Sequence, residues 1–172
     1  MKCFIFFVCL IVGISAIAIA QENEAVPRFS LGGGLFLSSG GEMDTAGSAD
    51  FAFLIFHGNG NAWDIRNHLV FRGGKFSEGG IVMLSEKVSI GGMVTGDWRS
   101  YAYAEGGIGI TANETKNFFE MPLAFSCGGG GGTDIFLTKA LSIYFEAGGL
   151  FVKSADGWNG DGIFQIGWKG WF

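Results

Sequence analysis

Apolar and polar residues alternate one by one through most of this chain, and this period of two constrains its fold more than any other feature. In residues 141–152, Leu141, Ile143 and Phe145 fall on one face, and Ser142 falls on the other. Successive side chains of a β-strand point to opposite faces, so each such segment is predicted to be a strand with one apolar and one polar face. The pattern occurs in residues 28–38, 47–56, 63–73, 100–111, 118–136, 141–152 and 162–172.

The number of strands depends on residues 79–98, which allow two interpretations. They form either one long strand or a hairpin that turns at residues 85–87. One strand gives eight strands in all, whereas a hairpin gives nine, and bacterial single-chain barrels have an even number. We therefore predict an all-β fold, an eight-stranded antiparallel up-and-down transmembrane β-barrel.

Two local features of the sequence are interpreted within this fold. The glycine run at residues 128–132 is predicted to be strand because the alternation is in phase on both sides. Pro122 is predicted to lie inside a strand, at a bulge.

The first twenty residues predict export. Lys2 is followed by an apolar run from residue 4 to 19, and Ala18 and Ala20 are the small residues of a cleavage site. This is the pattern of a signal peptide, so we assign residues 1–20 to it and residues 21–172 to one outer-membrane barrel domain. Retention as a membrane anchor and attachment of lipid at an early cysteine are the alternatives.

The composition of the mature chain excludes some classes of protein. Without Lys2 it has 10 Lys and Arg against 16 Asp and Glu, a formal charge of −6, which argues against non-specific binding of nucleic acid. Only Cys127 remains after cleavage, so no internal disulfide is possible, and we interpret Cys127 as a wall residue.

Two architectures fit strands of this kind, and they differ in whether the apolar face points outward or into the barrel. A membrane barrel turns its apolar face to lipid, whereas a secreted soluble barrel, like a lipocalin, buries it around an apolar ligand. The polar face here combines Gly, Ser and Ala with isolated charges of both signs, as a narrow filled interior requires. The chain also alternates up to its last residue, and aromatic residues are predicted to form a girdle at the end with both termini: Phe29, Trp63, Trp98, Tyr101, Phe136 and Phe172.

Three stretches resemble the small outer-membrane barrel families of diderm bacteria, the OmpA-, OmpX- and OmpW-like group. They are residues 101–110 (YAYAEGGIGI), residues 130–146 (GGGTDIFLTKALSIYFE) and residues 164–172. The resemblance implies that the barrel assembly machinery recognises the last strand through Phe164, Ile166, Trp168 and Phe172. Gly170 departs from that pattern, which has an apolar residue at its position.

We predict that charges on the polar face form a network inside the barrel. An unpaired charge in a narrow interior is costly, so acids and bases are expected to pair, with tyrosines donating to the surplus carboxylates and with Glu105 and Glu120 sharing a cation. The predicted network consists of Asp64, Arg66, Arg72, Glu105, Glu120, Glu146 and Lys169.

No pattern of catalytic or metal-binding residues was found in the sequence. His57 and His68 are the only histidines, and His68 is interpreted as an interior packing group. We therefore expect no enzymatic activity and no cofactor. The expected partners are outer-membrane lipid and the assembly machinery, with no nucleic acid and an unknown external ligand. A structural role, a narrow channel and a surface interaction remain open.

Overall fold

The structure is a computed structural model that describes residues 27–38, 45–58, 63–76, 79–112, 122–154 and 157–172. Within them the chain forms eight antiparallel strands, each paired with the next, and the last pairs with the first to close a barrel. This confirms the predicted fold class. These residues include no helix that is long and apolar enough to cross a membrane. The strands are β1 Phe29–Ser38, β2 Thr45–His57, β3 Asp64–Phe76, β4 Gly79–Thr95, β5 Trp98–Ala112, β6 Leu123–Thr138, β7 Leu141–Ser154 and β8 Gly157–Trp171.

The barrel has its apolar face on the outside. Leu35 on β1 is 62% exposed and Phe71 on β3 is 50% exposed, whereas Arg72 and Lys87 are 0% exposed. A soluble barrel would show the opposite distribution, because water would contact the polar face. The outward residues therefore form the lipid-facing wall of a transmembrane barrel, and the polar residues fill its interior.

The register of the strands sets the width of the barrel. A path around the barrel can start at Tyr101 on β5 and step from each residue to its partner on the next strand, through β6, β7, β8, β1, β2, β3 and β4. The path returns to β5 at Thr111, ten residues further along the strand. With about 3.3 Å per residue and about 4.8 Å between strands, this offset tilts the strands by about 40° to the barrel axis. Eight strands at this tilt leave an interior that side chains can fill.

Residues 79–98, for which the sequence allowed two interpretations, form a single strand followed by a turn. β4 pairs with β3 without interruption from the Phe76–Gly79 pair to the Asp64–Gly91 pair, so the hairpin alternative is wrong. Residues 85–87 continue the alternation, since Ser85 and Lys87 point inward and the residue between them points outward. The turn lies at residues 96–97, and Trp98 begins β5.

The glycine run lies within β6, as predicted. An added Cβ at Gly130 would lie 2.6 Å from the Cα of Gly148 on β7, so the interior has no room for a side chain there. Pro122 does not lie inside a strand, because β6 begins at the next residue. Its missing N–H therefore interrupts no ladder, and the predicted bulge is wrong.

The two ends of the barrel differ. Phe29 and Phe172 exchange backbone hydrogen bonds of 3.1 and 2.9 Å at one end, which also holds the turns at residues 96–97 and 139–140; we call it the terminal end and the opposite one the outer end. Most of the predicted girdle residues are exposed at the terminal end, together with Trp168. Tyr101 was wrongly included, since its side chain points into the interior. Phe136 was also wrongly included, since its ring packs 5.2 Å from that of the buried Trp171. The exposed girdle residues are Phe29, Trp63, Trp98 and Phe172.

The lipid-facing wall can be tested with arginine at two depths. Ile166→Arg, in the middle of the wall, is expected to lower the free energy of unfolding by about 2–4 kcal/mol, because the charge is moved into hydrocarbon. Leu141→Arg, beside the turn at residues 139–140, is the matched control and should cost about 0–1 kcal/mol. Reversible urea unfolding in lipid vesicles measures both. Equal losses at the two positions would contradict the assignment of this wall to lipid.

Candidate functional site, the charged interior

The interior of the barrel gathers charged residues from seven of the eight strands. All of the predicted network residues except one lie in the described part of the chain and point inward; Glu120 lies outside the described residues. Four charged residues that were not in the predicted network join them, namely Asp50, Lys87, Arg99 and Asp134. In the described chain the buried interior thus holds five carboxylates (Asp50, Asp64, Glu105, Asp134, Glu146) and five cations (Arg66, Arg72, Lys87, Arg99, Lys169).

Nearest the outer end, Arg72 on β3 forms a two-pronged ion pair with Glu105 on β5. Its Nη1 and Nη2 donate to Oε1 and Oε2 at 3.0 and 2.9 Å, the bidentate geometry that is strongest for this pair of groups. The guanidinium lies 5.1 Å from the ring centre of Phe36. Glu105 therefore binds the guanidinium of Arg72 with both of its oxygens. The predicted sharing of a cation with Glu120 stays a prediction, because Glu120 lies outside the described residues.

In the middle of the barrel, Lys87 bridges opposite walls. Its Nζ donates to Glu146 on β7 at 2.7 Å and to Asp50 on β2 at 3.3 Å. The hydroxyl of Tyr101 donates to the same Glu146 oxygen at 2.8 Å. Since the three charged groups come from β2, β4 and β7, the lysine spans the interior at this level.

Toward the terminal end, Arg99 lies between two carboxylates. Its guanidinium donates to Asp134 at 3.1 Å and forms a further ion pair with Asp64. Lys169 Nζ donates to the other oxygen of Asp134 at 3.0 Å, and Arg66 Nε donates to Asp64 at 3.3 Å. The series of ion pairs thus continues to the terminal end of the barrel, where the guanidinium of Arg66 lies 4.8 Å from the ring centre of Trp171.

Inward-facing glycines make room for the inward tyrosines. A Cβ at Gly132 would lie 2.7 Å from the Cζ of Tyr101, and a Cβ at Gly148 would lie 2.9 Å from the hydroxyl oxygen of Tyr103. A Cβ at Gly148 would also lie 2.4 Å from the backbone oxygen of Gly129, so glycine is required there, whereas a Cβ at Gly132 would force the ring of Tyr101 to shift.

The outer end of the interior is closed by apolar side chains. Phe36, Ile81, Met83, Leu150 and Ile163 are all buried there and pack with Ala46 as one cluster. Because this cluster borders the Arg72–Glu105 pair through the ring of Phe36, the described interior is occupied from one end to the other.

His68 lies between a carboxylate and a hydroxyl. Its Nδ1 is 3.0 Å from Asp50 Oδ1, and its Nε2 is 2.9 Å from Ser89 Oγ. This is the connectivity of a Ser-His-Asp hydrolase, in which the carboxylate orients the imidazole and the imidazole activates the serine. Here Ser89 is 0% exposed and Asp50 also binds Lys87, so no substrate carbonyl can reach the hydroxyl in this arrangement.

The sequence contained signals for the residues that the predicted network lacked. Asp50 and Asp134 are in phase with the polar face of their strands, and Lys87 is in phase with Ser85 and Ser89. Lys87 was missed because residues 85–87 could have been either a turn or part of a strand. Arg99 was missed because β5 begins two residues earlier than predicted. No group of three His, Cys, Asp or Glu residues in the described ranges could hold a metal ion.

The four residues of the predicted assembly signal lie on or directly after β8, where it pairs with β1 to close the barrel. Phe164, Ile166 and Trp168 point outward from β8, and Phe172 follows the strand, with its backbone paired to Phe29 of β1. Recognition of these residues by the assembly machinery stays a prediction.

The Arg72–Glu105 pair provides a test of the network. Glu105→Gln leaves a buried guanidinium without its counter-charge, so it should lower the free energy of unfolding by about 3–5 kcal/mol. The double variant Arg72→Met, Glu105→Leu removes both charges and should recover most of that loss. Asp97→Asn, in an exposed turn, is the control and should change stability by less than about 0.5 kcal/mol. Unfolding in detergent measures all three; a double variant that is no more stable than Glu105→Gln would mean that the two charges are not coupled.

No protein-family model matches this chain, and no curated protein sequence matches it. Among solved structures it is similar to the neisserial surface protein A, with a TM-score of 0.63 and 12% identity over 87% of this chain and 100% of that one. It is also similar to Ail, the attachment invasion locus protein of Yersinia pestis, with a TM-score of 0.54 and 15% identity over 86% of this chain and 100% of that one. At such identities the likeness concerns the fold alone. The chain has the fold of the small eight-stranded outer-membrane β-barrels that its second half resembles.

Proposed function

We propose that this protein is an integral outer-membrane barrel with a closed interior, which neither conducts solutes nor catalyses a reaction and which acts through its outer surface. The observation that carries the proposal is the continuous series of ion pairs and apolar contacts that fills the lumen. A porin needs a water-filled channel, and here the charges are paired with one another instead of facing water. In this proposal residues 1–20 are the export signal and the assembly machinery inserts the barrel.

The strand lengths support a role at the cell surface. β4 has 17 residues, so at a tilt of about 40° it rises about 40 Å, well beyond an apolar band about 25 Å high. The hairpin of β7 and β8 also reaches the outer end, where Lys153 Nζ lies 5.9 Å from the ring centre of the exposed Trp158. One structural neighbour, Ail, is by its name an attachment invasion locus protein. We extend a surface-interaction role of this kind to the present chain as part of the proposal.

Conductance separates a closed barrel from a narrow channel. In planar lipid bilayers the wild-type protein should give no steady current, because ion pairs and apolar side chains fill the described interior. Lys87→Ala leaves the carboxylates of Asp50 and Glu146 without their shared cation, so water is expected to enter the middle of the barrel and small, intermittent cation currents should follow. Steady currents of porin size from the wild-type protein would overturn the proposal.

The group of Asp50, His68 and Ser89 is the specific reason to test for hydrolysis. If the group is structural, the wild-type protein and Ser89→Ala should hydrolyse nitrophenyl esters and phospholipids at the same background rate. Ser89→Ala should instead lower stability by about 1–3 kcal/mol, since it leaves a buried ring nitrogen of His68 without a partner. Covalent labelling of Ser89 by a fluorophosphonate would show that the hydroxyl is activated and would favour an enzyme.

A further inference from the structure

One carboxylate in the middle of the barrel holds donors from two other strands. Nδ1 of His68 on β3 lies 3.0 and 3.1 Å from the two oxygens of Asp50 on β2. Lys87 Nζ on β4 donates to Asp50 Oδ2 at 3.3 Å and to Glu146 on β7 at 2.7 Å. The contact between Lys87 and β2 therefore depends on a carboxylate that His68 shares.

The contacts of the His68 ring are those of a neutral imidazole. We assign its proton to Nδ1, because the ionised carboxylate of Asp50 can only accept a hydrogen bond. Nε2 then accepts the proton of the Ser89 hydroxyl, whose oxygen is 2.9 Å away. A second proton on the ring would turn Nε2 into a donor, and Ser89 would lose the acceptor of its own proton. The neutral ring therefore satisfies this arrangement and the charged ring does not.

The charges around His68 oppose a further positive charge. Lys87 is its direct partner in the register of β3 and β4, and Lys169 on β8 also acts on the ring. The described interior already balances five carboxylates with five cations, so a proton on His68 would be an unbalanced buried charge, which is costly. Together with the inward tyrosines of β5 and β7, the charged side chains that point inward around it are Asp50 on β2, Arg66 and Arg72 on its own strand, Lys87 on β4, Glu146 on β7 and Lys169 on β8.

His68 is the group of this network that mild acid addresses. Histidine is the side chain whose ordinary pKa, about 6.5, lies between pH 5 and 8, whereas the ordinary pKa of a carboxyl group is about 4. The chain has one other histidine, His57, which is the last residue of β2. A proton that enters the ion-pair network between pH 7.5 and 5.0 is therefore expected on His68.

We propose that His68 is an acid-sensitive switch of the lumen: as a neutral ring it keeps the middle of the barrel closed, and a proton on it separates Lys87 from Asp50. The imidazolium and the ammonium compete for the one carboxylate, and Lys87 stays with Glu146, to which it has the shorter contact. Loss of the contact between Lys87 and Asp50 removes a link between β4 and β2 and lets water enter there. The inference rests on the closed interior of the proposed function.

The pH dependence of unfolding tests the switch. A ring that is neutral in the folded barrel and free to bind a proton in the unfolded chain makes unfolding easier as the pH falls below about 6.5. The unfolding equilibrium constant of the wild-type protein, measured with urea in lipid vesicles, should therefore rise by up to about 30-fold between pH 6.5 and 5.0. His68→Gln, whose amide can donate to Asp50 but takes up no proton in this range, should lose this rise.

His57→Gln is the matched control, since it replaces the other histidine of the chain, and it should keep the wild-type pH dependence. An equal rise in the wild-type protein and in His68→Gln would overturn the proposal. NMR of the histidine rings adds a measurement that needs no substitution of His68. With the signals of His57 assigned from His57→Gln, the His68 ring should carry one proton at pH 7.5, and a doubly protonated ring at that pH would also overturn the proposal.

Planar bilayers at two pH values show whether the proton opens the lumen. The wild-type protein should carry no current at pH 7.5 and brief currents at pH 5.0, whereas His68→Gln should carry none at either pH. A wild-type protein that carries no current at pH 5.0 would overturn the switch and leave the closed barrel of the proposed function intact. Steady current from the wild-type protein at pH 7.5 would overturn the proposed function, and the switch with it.

Discussion

The pairing of β8 with β1 is the constraint on which the rest of the structure depends. Once the sheet closes, one face of every strand lies in a space about as wide as two side chains, and water has little room there. Each charge on that face then needs a counter-charge, and each large side chain needs a gap opposite it. The five carboxylates and five cations of the described interior satisfy the first need, and the inward glycines opposite Tyr101 and Tyr103 satisfy the second.

Several of the ion pairs join strands that are not neighbours in the sheet. Lys87 links β4 to β2 and β7, and Lys169 links β8 to β6. Backbone hydrogen bonds hold only adjacent strands, so these side-chain contacts add links across the lumen that resist flattening of the barrel. The same links occupy space in the lumen that a water-filled channel would need.

The outer wall is under a looser constraint, because lipid accepts any apolar shape. Bulky residues such as Phe71 and small ones such as Gly131 are therefore equally compatible with the fold. Glu86 departs even from the apolar rule. Its Oε1 accepts a hydrogen bond from Nδ2 of Asn67 on β3.

The sequence by itself determined the strands, because an alternation of period two follows from backbone geometry alone: it predicted which face of β3, β5, β7 and β8 points outward. It left open whether residues 79–98 turn, and it misplaced Pro122 and Tyr101, since strand ends depend on pairing with neighbours. The partners of each charge were decided only by the tertiary structure. The offset of ten residues around the barrel brings Lys87 to Glu146 and Arg72 to Glu105, and no local pattern encodes that offset, because it arises from the register of all eight strands together.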